Sequence, residues 1–325
     1  MKEFFIGVDF GGTNLKLGCF DGELNLVTKT SVPSGEDLSP QAVIANISST
    51  IHSVLSQHEI AYDQVKAVGL GIPGQMNLTD GIILSAPNLP FENVPMKRLL
   101  SEKLDKTVIM ENDANAAAWG EFVAGAGSDV NHMVFFTLGT GIGGGIICDG
   151  KLVHGYTDEA AELGHILIYV DGERQCGCGQ YGCAEAYGSA SATADRANDA
   201  LKAGVDSSLN ELFKKDGSVT CEQVFDHAKN GDKFANEIVD GTAKTLGILC
   251  IDMLHVTQPQ RILFAGGMIG AGDFLLEKIQ KYFDKYIWTM KPESLEICFA
   301  TLGEDAGIIG SAALAKDHFK VSKQG

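Results

Sequence analysis

Two short glycine turns, each held between a pair of apolar runs, recur 128 residues apart in this 325-residue chain. The first run, Phe4 to Val8, meets Asp9-Phe10-Gly11-Gly12-Thr13, and the chain returns through Leu15 to Phe20 into an Asp21-Gly22 turn. The second run, Met133 to Leu138, meets Gly139-Thr140-Gly141-Ile142-Gly143-Gly144-Gly145, then returns through Ile146 and Ile147 to Asp149-Gly150. In register, Gly11 falls on Gly139, Asp21 on Asp149, Gly22 on Gly150 and Leu24 on Leu152 without a gap. An Asp-Gly pair between apolar runs marks a tight hairpin. Two hairpins of one design predict two domains of similar topology, each offering a glycine turn to a shared cleft. A chain of this length also accommodates about two domains.

The segments between the hairpins alternate helix and strand signals. Ser39 can cap a helix with Pro40 at its first position, and Val43, Ile44, Ile47, Ile51, Val54 and Leu55 follow at helical spacing. A strand from Val65 to Ile72 ends at Pro73-Gly74. A short strand, Val108 to Met110, leads into Glu111-Asn112-Asp113 and an alanine-rich helix from Ala114. Ile238 to Val256 reads as a long buried helix, followed by a strand from Arg261 to Phe264, Ala265-Gly266-Gly267 and a helix from about Asp273. The last strand lies near Leu295 to Ala300, and a final helix begins near Ala306. This alternation predicts an α/β fold.

The glycine turns suit phosphate. Glycine lets the backbone approach closely, and the freed N–H groups can bind phosphate oxygens. Gly11, Gly12, Gly139 and Gly141 supply such backbone, and Thr13 and Thr140 add hydroxyls. Residues 139–144 match the spacing of a dinucleotide fingerprint, but that motif needs a helix to open at the glycines. Here a return strand and an Asp-Gly turn follow, so the Rossmann reading is rejected. No glycine run ends in Gly-Lys-Ser/Thr, so a Walker A loop is not read either. Asp9 can orient Mg²⁺ or its water, or it can cap the glycine turn. Gly266 and Gly267 suit the base or ribose of a nucleotide, and serve as well for a plain strand-to-helix turn.

Cys176, Cys178 and Cys183 crowd into one glycine-rich loop, with His165 upstream. Three cysteines and a histidine make a closed tetrahedral zinc site, which leaves no open position for chemistry. Zinc would instead order a loop that its glycines leave mobile. Glu162 lies three residues before His165 and Glu185 two after Cys183, so the metal would hold two carboxylates near each other, as sugar hydroxyls require. The other five cysteines, Cys19, Cys148, Cys221, Cys250 and Cys298, are expected to be buried, reduced, small hydrophobes.

Phosphoryl transfer to an alcohol needs the hydroxyl oriented and its proton accepted. Asp113 sits between a strand and a helix, at the carboxyl edge of a sheet where ligands bind. Asn112 beside it can donate and accept. From this segment alone, a cap on the following helix is the simpler reading.

Together these segments resemble the ROK family of repressors and sugar kinases. The resemblance covers nearly the whole chain. It rests on Asp9 to Thr13, on Leu138 to Gly145, on Gly71-Ile72-Pro73-Gly74, on Asn112-Asp113 and on Glu162-Leu163-Gly164-His165. A CxCGxxGCxE signature from Cys176 to Glu185 completes the set. The resemblance implies a two-domain ribonuclease-H-like (actin/hexokinase-type) fold with the active site in the interdomain cleft. The expected division is a smaller domain over 1–112 and a larger one over 113–305 with the zinc loop in 165–183. A C-terminal helix over about 306–319 is expected to pack back on the first.

The resemblance further implies an ATP-dependent hexose kinase with Asp113 as the base toward the sugar 6-hydroxyl. Gly74, Asn88, Asn112, Asp113, Glu162, His165 and Glu185 would line the sugar pocket, and Mg²⁺ and a structural Zn²⁺ are the implied metals. Glucose is the first expectation. N-acetylglucosamine, N-acetylmannosamine, mannose, fructose and allose stay open, as does a sugar-binding regulator without turnover. A homodimer or homotetramer is implied. An actin-like structural ATPase is disfavoured by the zinc loop.

The formal charge of −17 repels polyanions, so nucleic acid and anionic membranes are poor partners. The chain opens almost directly on its first strand, so the helix-turn-helix of ROK repressors is not expected. Asp9 interrupts the first apolar run too soon for a signal peptide, and no run reaches the ~18 apolar residues of a membrane span. The cytoplasm is the expected compartment.

Overall fold

The computed structural model describes residues 2–86, 89–288, 292–293 and 295–323. Its first half builds one five-stranded sheet. β1 (Phe4–Phe10), β2 (Asn14–Asp21) and β3 (Leu26–Pro33) run antiparallel. Helix α1 (Pro40–Gln57) then carries the chain to β4 (Val65–Ile72), parallel to β1. A small sheet of β5 (Gln75–Asn77), β6 (Ile82–Ser85) and β7 (Glu92–Val94) follows, with α2 (Met96–Leu104). β8 (Thr107–Asn112) closes the strand order β3-β2-β1-β4-β8.

Helix α3 (Asp113–Ala124) leads into the second sheet: β9 (Met133–Leu138), β10 (Ile142–Cys148) and β11 (Lys151–Leu152). After a loop region come α4 (Glu185–Gly188), α5 (Ala190–Lys202), α6 (Asn210–Asp216), α7 (Cys221–Lys229) and α8 (Lys233–Thr257). β12 (Arg261–Ala265), α9 (Asp273–Tyr286), β13 (Glu296–Phe299) and α10 (Ala306–Ser322) complete the described chain. The second sheet runs β11-β10-β9-β12-β13, with β10 antiparallel to both neighbours and β12 parallel to β9 and β13. Both sheets therefore have the same topology, as the duplicated hairpin predicts.

Register explains where the glycine turns lie. Phe10 pairs with Leu15 and Leu138 with Ile142, so each turn closes a β-hairpin at the same end of its sheet. β1 is apolar almost throughout because both its faces are covered, whereas β3 at the sheet edge alternates between exposed and half-buried residues. The first core gathers β1, β2, β4 and β8 against α1 and α2. The second packs β9, β10 and β12 against α5, α7, α8 and α9. Ser39 caps α1 with Pro40 at its first position, as expected. α8 begins five residues before its first predicted position, capped by the Asp232 carboxylate, and its first turn already packs Phe234 and Ala235 into the core between Lys233, Asn236 and Glu237.

Helices α3 and α10 lie side by side between the two sheets, α10 against β1 and β4, α3 against β10. Their approach is backbone to backbone. A Cβ on Gly310 would overlap the Ala116 carbonyl, and one on Gly120 would overlap the Ala306 carbonyl. Gly310→Ala is expected to lower stability by about 3 kcal/mol, read as a fall in the melting midpoint, because rigid backbone rather than a movable side chain opposes the methyl.

Glu121 secures the same crossing. Its fully buried carboxylate accepts from the backbone N–H of Ala126 at 2.9 Å, Thr301 at 3.0 Å and Leu302 at 2.7 Å. The end of α3 is thus tied to the segment that enters α10. Cys19 and Cys250 are buried as expected. Cys148, Cys221 and Cys298 are only partly buried: Cys148 ends β10, Cys221 opens α7 and Cys298 lies on the edge strand β13.

Candidate active site

Asn112 ends β8 and caps α3, its Oδ1 accepting from the N–H of Ala114 at 2.9 Å and of Asn115 at 3.2 Å. The cap that the sequence suggested is therefore present. Asp113 is the first residue of the helix, and its Oδ1 accepts from the Ala114 N–H at 2.9 Å. Burial pushes its carboxyl above the usual range, while the helix-terminal N–H bonds pull the other way. A carboxylate in this condition is a stronger base than an exposed one.

Asp9, in the last turns of β1, faces the same region. Burial, and then the Asp113 carboxylate, push it up to about 6, and Lys16 opposes the shift. Two largely buried carboxylates, one of them raised by the other, call for a cation or a proton. The sign of the linkage is definite. A carboxyl with its folded value above the ordinary 3.8 contributes stability that is present below pH 3.8 and lost as pH rises to about 6. Asp9→Asn is thus expected to stabilise the metal-free protein by roughly 2–3 kcal/mol at pH 8, with little change at pH 4, in paired thermal melts.

The two glycine turns present open backbone. At the first, Gly11 N–H bonds Asn14 O at 3.0 Å and Thr13 O receives the Ser34 N–H at 2.9 Å, while Gly12 and Thr13 stay exposed. At the second, Gly139 N–H bonds Gly141 O at 3.0 Å, and Thr140 is exposed. Gly266 takes a φ of +87°, and a side chain there would strike the Leu138 backbone just before the second turn. Gly266 thus abuts the second turn, and Gly267 opens the 3-10 turn that follows β12.

His165, Cys176, Cys178 and Cys183 converge, each offering a ligand atom within 4.8 Å of the others. Cys178 Sγ and Cys183 Sγ lie 3.7 Å apart, and Cys176 Sγ lies 3.5 Å from His165 Nδ1. Tetrahedral zinc with ordinary bond lengths requires S···S edges of about 3.8 Å and N···S edges of about 3.5 Å. The donor set and these edges fit a structural zinc ion.

The carboxylates beside the cluster link it to the other motifs. Glu185 opens α4, its Oε1 accepting from the Cys176 thiol at 3.2 Å and its Oε2 from the Ile142 N–H at 2.9 Å. The cysteine loop is thereby fastened to the second glycine turn, and Gly141 leaves the room Glu185 needs. Glu162 immediately precedes the 3-10 turn Leu163–His165, with Oε2 3.9 Å from His165 Nε2. Burial raises its carboxyl, His165 lowers it, and Asp113, Glu159 and Glu185 raise it further. Asp113, Glu162 and Glu185 are thus brought within electrostatic reach.

Gly74 lies at the turn between β4 and β5 with φ of +125°, packed against Ser85 and Ala86. Asn88, expected in the sugar pocket, lies outside the described residues. Glu111 and His154 were not anticipated. Glu111 is only 4% exposed, and its Oε2 lies 2.8 Å from His154 Nε2. The pair spans 43 residues with no periodicity or motif to announce it.

The ROK family profile matches residues 5–318. The chain belongs to the ROK family. A glucokinase from Halalkalibacterium halodurans is 34% identical over 322 residues, covering 99% of this chain and 98% of that one. A ROK hexokinase structure from Thermus thermophilus matches with a TM-score of 0.84 at 28% identity, covering all of both chains. A ROK glucokinase from Streptomyces griseus, solved in complex with glucose and AMPPNP, matches with a TM-score of 0.80 at 32% identity over 97% of this chain and 99% of that one. The fold is the two-domain ROK sugar-kinase fold of the actin/hexokinase type. Among the described residues no helix is long and apolar enough to cross a membrane.

Proposed function

We propose that the protein transfers the γ-phosphoryl group of ATP to the 6-hydroxyl of a hexose, glucose first, with Asp113 as the general base. The observation that carries this reading is the setting of Asp113. A buried carboxylate of raised basicity heads α3 within electrostatic reach of Asp9, beside the first glycine turn, and of Glu162, beside the cysteine cluster.

Phosphoryl transfer asks mostly for position and charge stabilisation. The N–H groups of Gly12 and Gly141, with the Thr13 and Thr140 hydroxyls, receive the phosphates, and Gly11 and Gly139, whose own N–H groups close the turns, let the backbone approach them. Gly266 and Gly267 border the nucleoside. Asn112, Glu162, His165, Glu185 and Gly74, with Asn88, hold the sugar. Asp113 accepts the 6-hydroxyl proton as the new O–P bond forms and the bond to the ADP oxygen breaks. Mg²⁺ bound with the nucleotide supplies neutralising charge, and Asp9 is the carboxylate that would hold it or its water. Zinc, held by His165, Cys176, Cys178 and Cys183, would order the loop that sets Glu162 and Glu185.

The same reading divides the chain into a smaller unit over 1–112 and a larger one over 113–305, with the helix over about 306–319 returning to the first. Closure of the two excludes water and limits wasteful hydrolysis. The enzyme works in cytoplasmic carbohydrate metabolism, at the entry to glycolysis if glucose is its sugar, as a homodimer or homotetramer. The hydroxyl-contacting residues suit N-acetylglucosamine, N-acetylmannosamine, mannose, fructose and allose as well. A panel of these sugars with Mg-ATP, followed by ADP formation, tests the reading. One sugar is expected to stand out in kcat/KM by an order of magnitude or more; equal, sugar-independent ADP release across the panel contradicts it.

A further inference from the structure

One segment ties the sugar-side residues to the catalytic helix, and the proposed reaction gives it no role so far. Residues 153–161 leave β11 and lead directly into Glu162 and His165. The strap begins fastened to the second sheet, where the Val153 N–H bonds Ile146 O at 2.9 Å. It then reaches across to the first half at two points. His154 Nε2 meets Glu111 Oε2 at 2.8 Å, and Asp158 Oδ2 accepts from the Leu78 N–H at 2.9 Å, in the turn between β5 and β6.

Glu111 is the pivotal partner. Its second oxygen, Oε1, accepts from the N–H of Asn112 at 3.0 Å and from Asn115 Nδ2 at 3.1 Å. One nearly inaccessible carboxylate therefore joins the strap to the residue before Asp113 and to the first turn of α3.

The strap's far end is conformationally constrained. Asp158 and Ala161 take left-handed φ values of +62° and +69°, uncommon for residues with a Cβ. The Leu163 N–H bonds Ala161 O at 2.7 Å, and Glu162 between them has φ −71° and ψ 59°, an inverse γ-turn. Unfavourable backbone of this kind persists where surrounding contacts over-determine it. Here the over-determination comes from the two tethers.

We infer that His154 is a positioning residue: its bond to Glu111 docks the 153–161 strap on the catalytic helix and so sets Glu162 and His165 for the sugar. The inference rests on the sugar-kinase reading for what Glu162 and His165 bind. It adds a device that makes sugar affinity depend on the charge of one imidazole. The charged groups facing that imidazole are Glu111 on β8 and Asp158 on the strap. The hydrogen bond to Glu111 holds His154 protonated above its ordinary range, against the opposing effect of burial, and both carboxylates add attraction. A group raised in this way keeps its charge to higher pH than an ordinary imidazole and loses it as pH rises through its folded value. Sugar affinity therefore weakens toward alkaline pH.

The test measures glucose dissociation constants by calorimetry, and sugar KM and kcat, between pH 6 and 9 for the wild type, His154→Gln and Glu111→Gln. The wild type is expected to bind glucose about five- to tenfold more weakly at pH 9 than at pH 7, with the ATP KM flat. His154→Gln keeps a donor but no charge. It is expected to show the weaker affinity at every pH, with kcat changed far less than KM. Chymotrypsin cleavage after the fully exposed Tyr156 is expected to accelerate in this variant, whatever the sugar. Variants that melt earlier yet keep wild-type glucose affinity and its pH profile overturn the inference. Wild-type protein that binds glucose but forms no sugar phosphate fails the kinase reading alone. Wild type that binds none of glucose, mannose or N-acetylglucosamine overturns both.

Discussion

Asp113→Asn is expected to lower kcat on the preferred hexose by about 10²–10⁴-fold, with the sugar KM changed little and the melting midpoint at neutral pH held or raised, because a buried charge is removed. The side chain keeps its shape and can still accept from the Ala114 N–H, so the head of α3 survives. What is lost is the proton acceptor. The carboxylate is also the second cause of the raised Asp9 value, so the variant should relax Asp9 toward its ordinary range. Steady-state kinetics beside a thermal melt checks both parts. A loss of activity matched by a loss of fold would assign Asp113 to capping alone.

Removal of the metal carries the second large effect. The wild type is expected to contain about one zinc per chain by elemental analysis, and Cys178→Ser to contain little. Cys178 is the exposed thiol of the set, so the substitution leaves the core untouched, whereas Cys176 and Cys183 are buried. Without metal, burial holds Cys176 and Cys183 as thiols, and no bond fixes the four side chains to one another. The loop that sets Glu185, and through His165 the position of Glu162, then loses its order. Sugar affinity is expected to fall by about 10²-fold, while AMPPNP binding, made by the glycine turns, falls far less. Equal loss of both ligands would mean that zinc supports the whole domain rather than the sugar side.

The parts legible in the sequence are those with local signatures. Asp-Gly turns and gap-free register announced the paired hairpins, and both sheets have one topology. Cysteines two and five residues apart announced the cluster, since such spacing leaves the thiols no choice but to be near. Short elements were silent. β5 and β7 have three residues each and α4 has four, too few for any period to show. Long-range polar contacts were silent too. Glu111 reads as one more strand residue until His154 is brought to it by a strap that no propensity scale marks. Of the two readings of Asn112, the structure bears out the helix cap. That cap on α3 fixes the geometry in which the neighbouring Asp113 faces the carboxylate set.

Transfer of phosphate from ATP to sugar is the central claim, and phosphorus NMR of the reaction measures it directly. With Mg-ATP and the best sugar of the panel, one hexose 6-phosphate is expected to appear for each ADP, with inorganic phosphate near background. Sugar that binds and remains unphosphorylated while ATP stays intact would contradict the account and make the protein a sugar-responsive regulator.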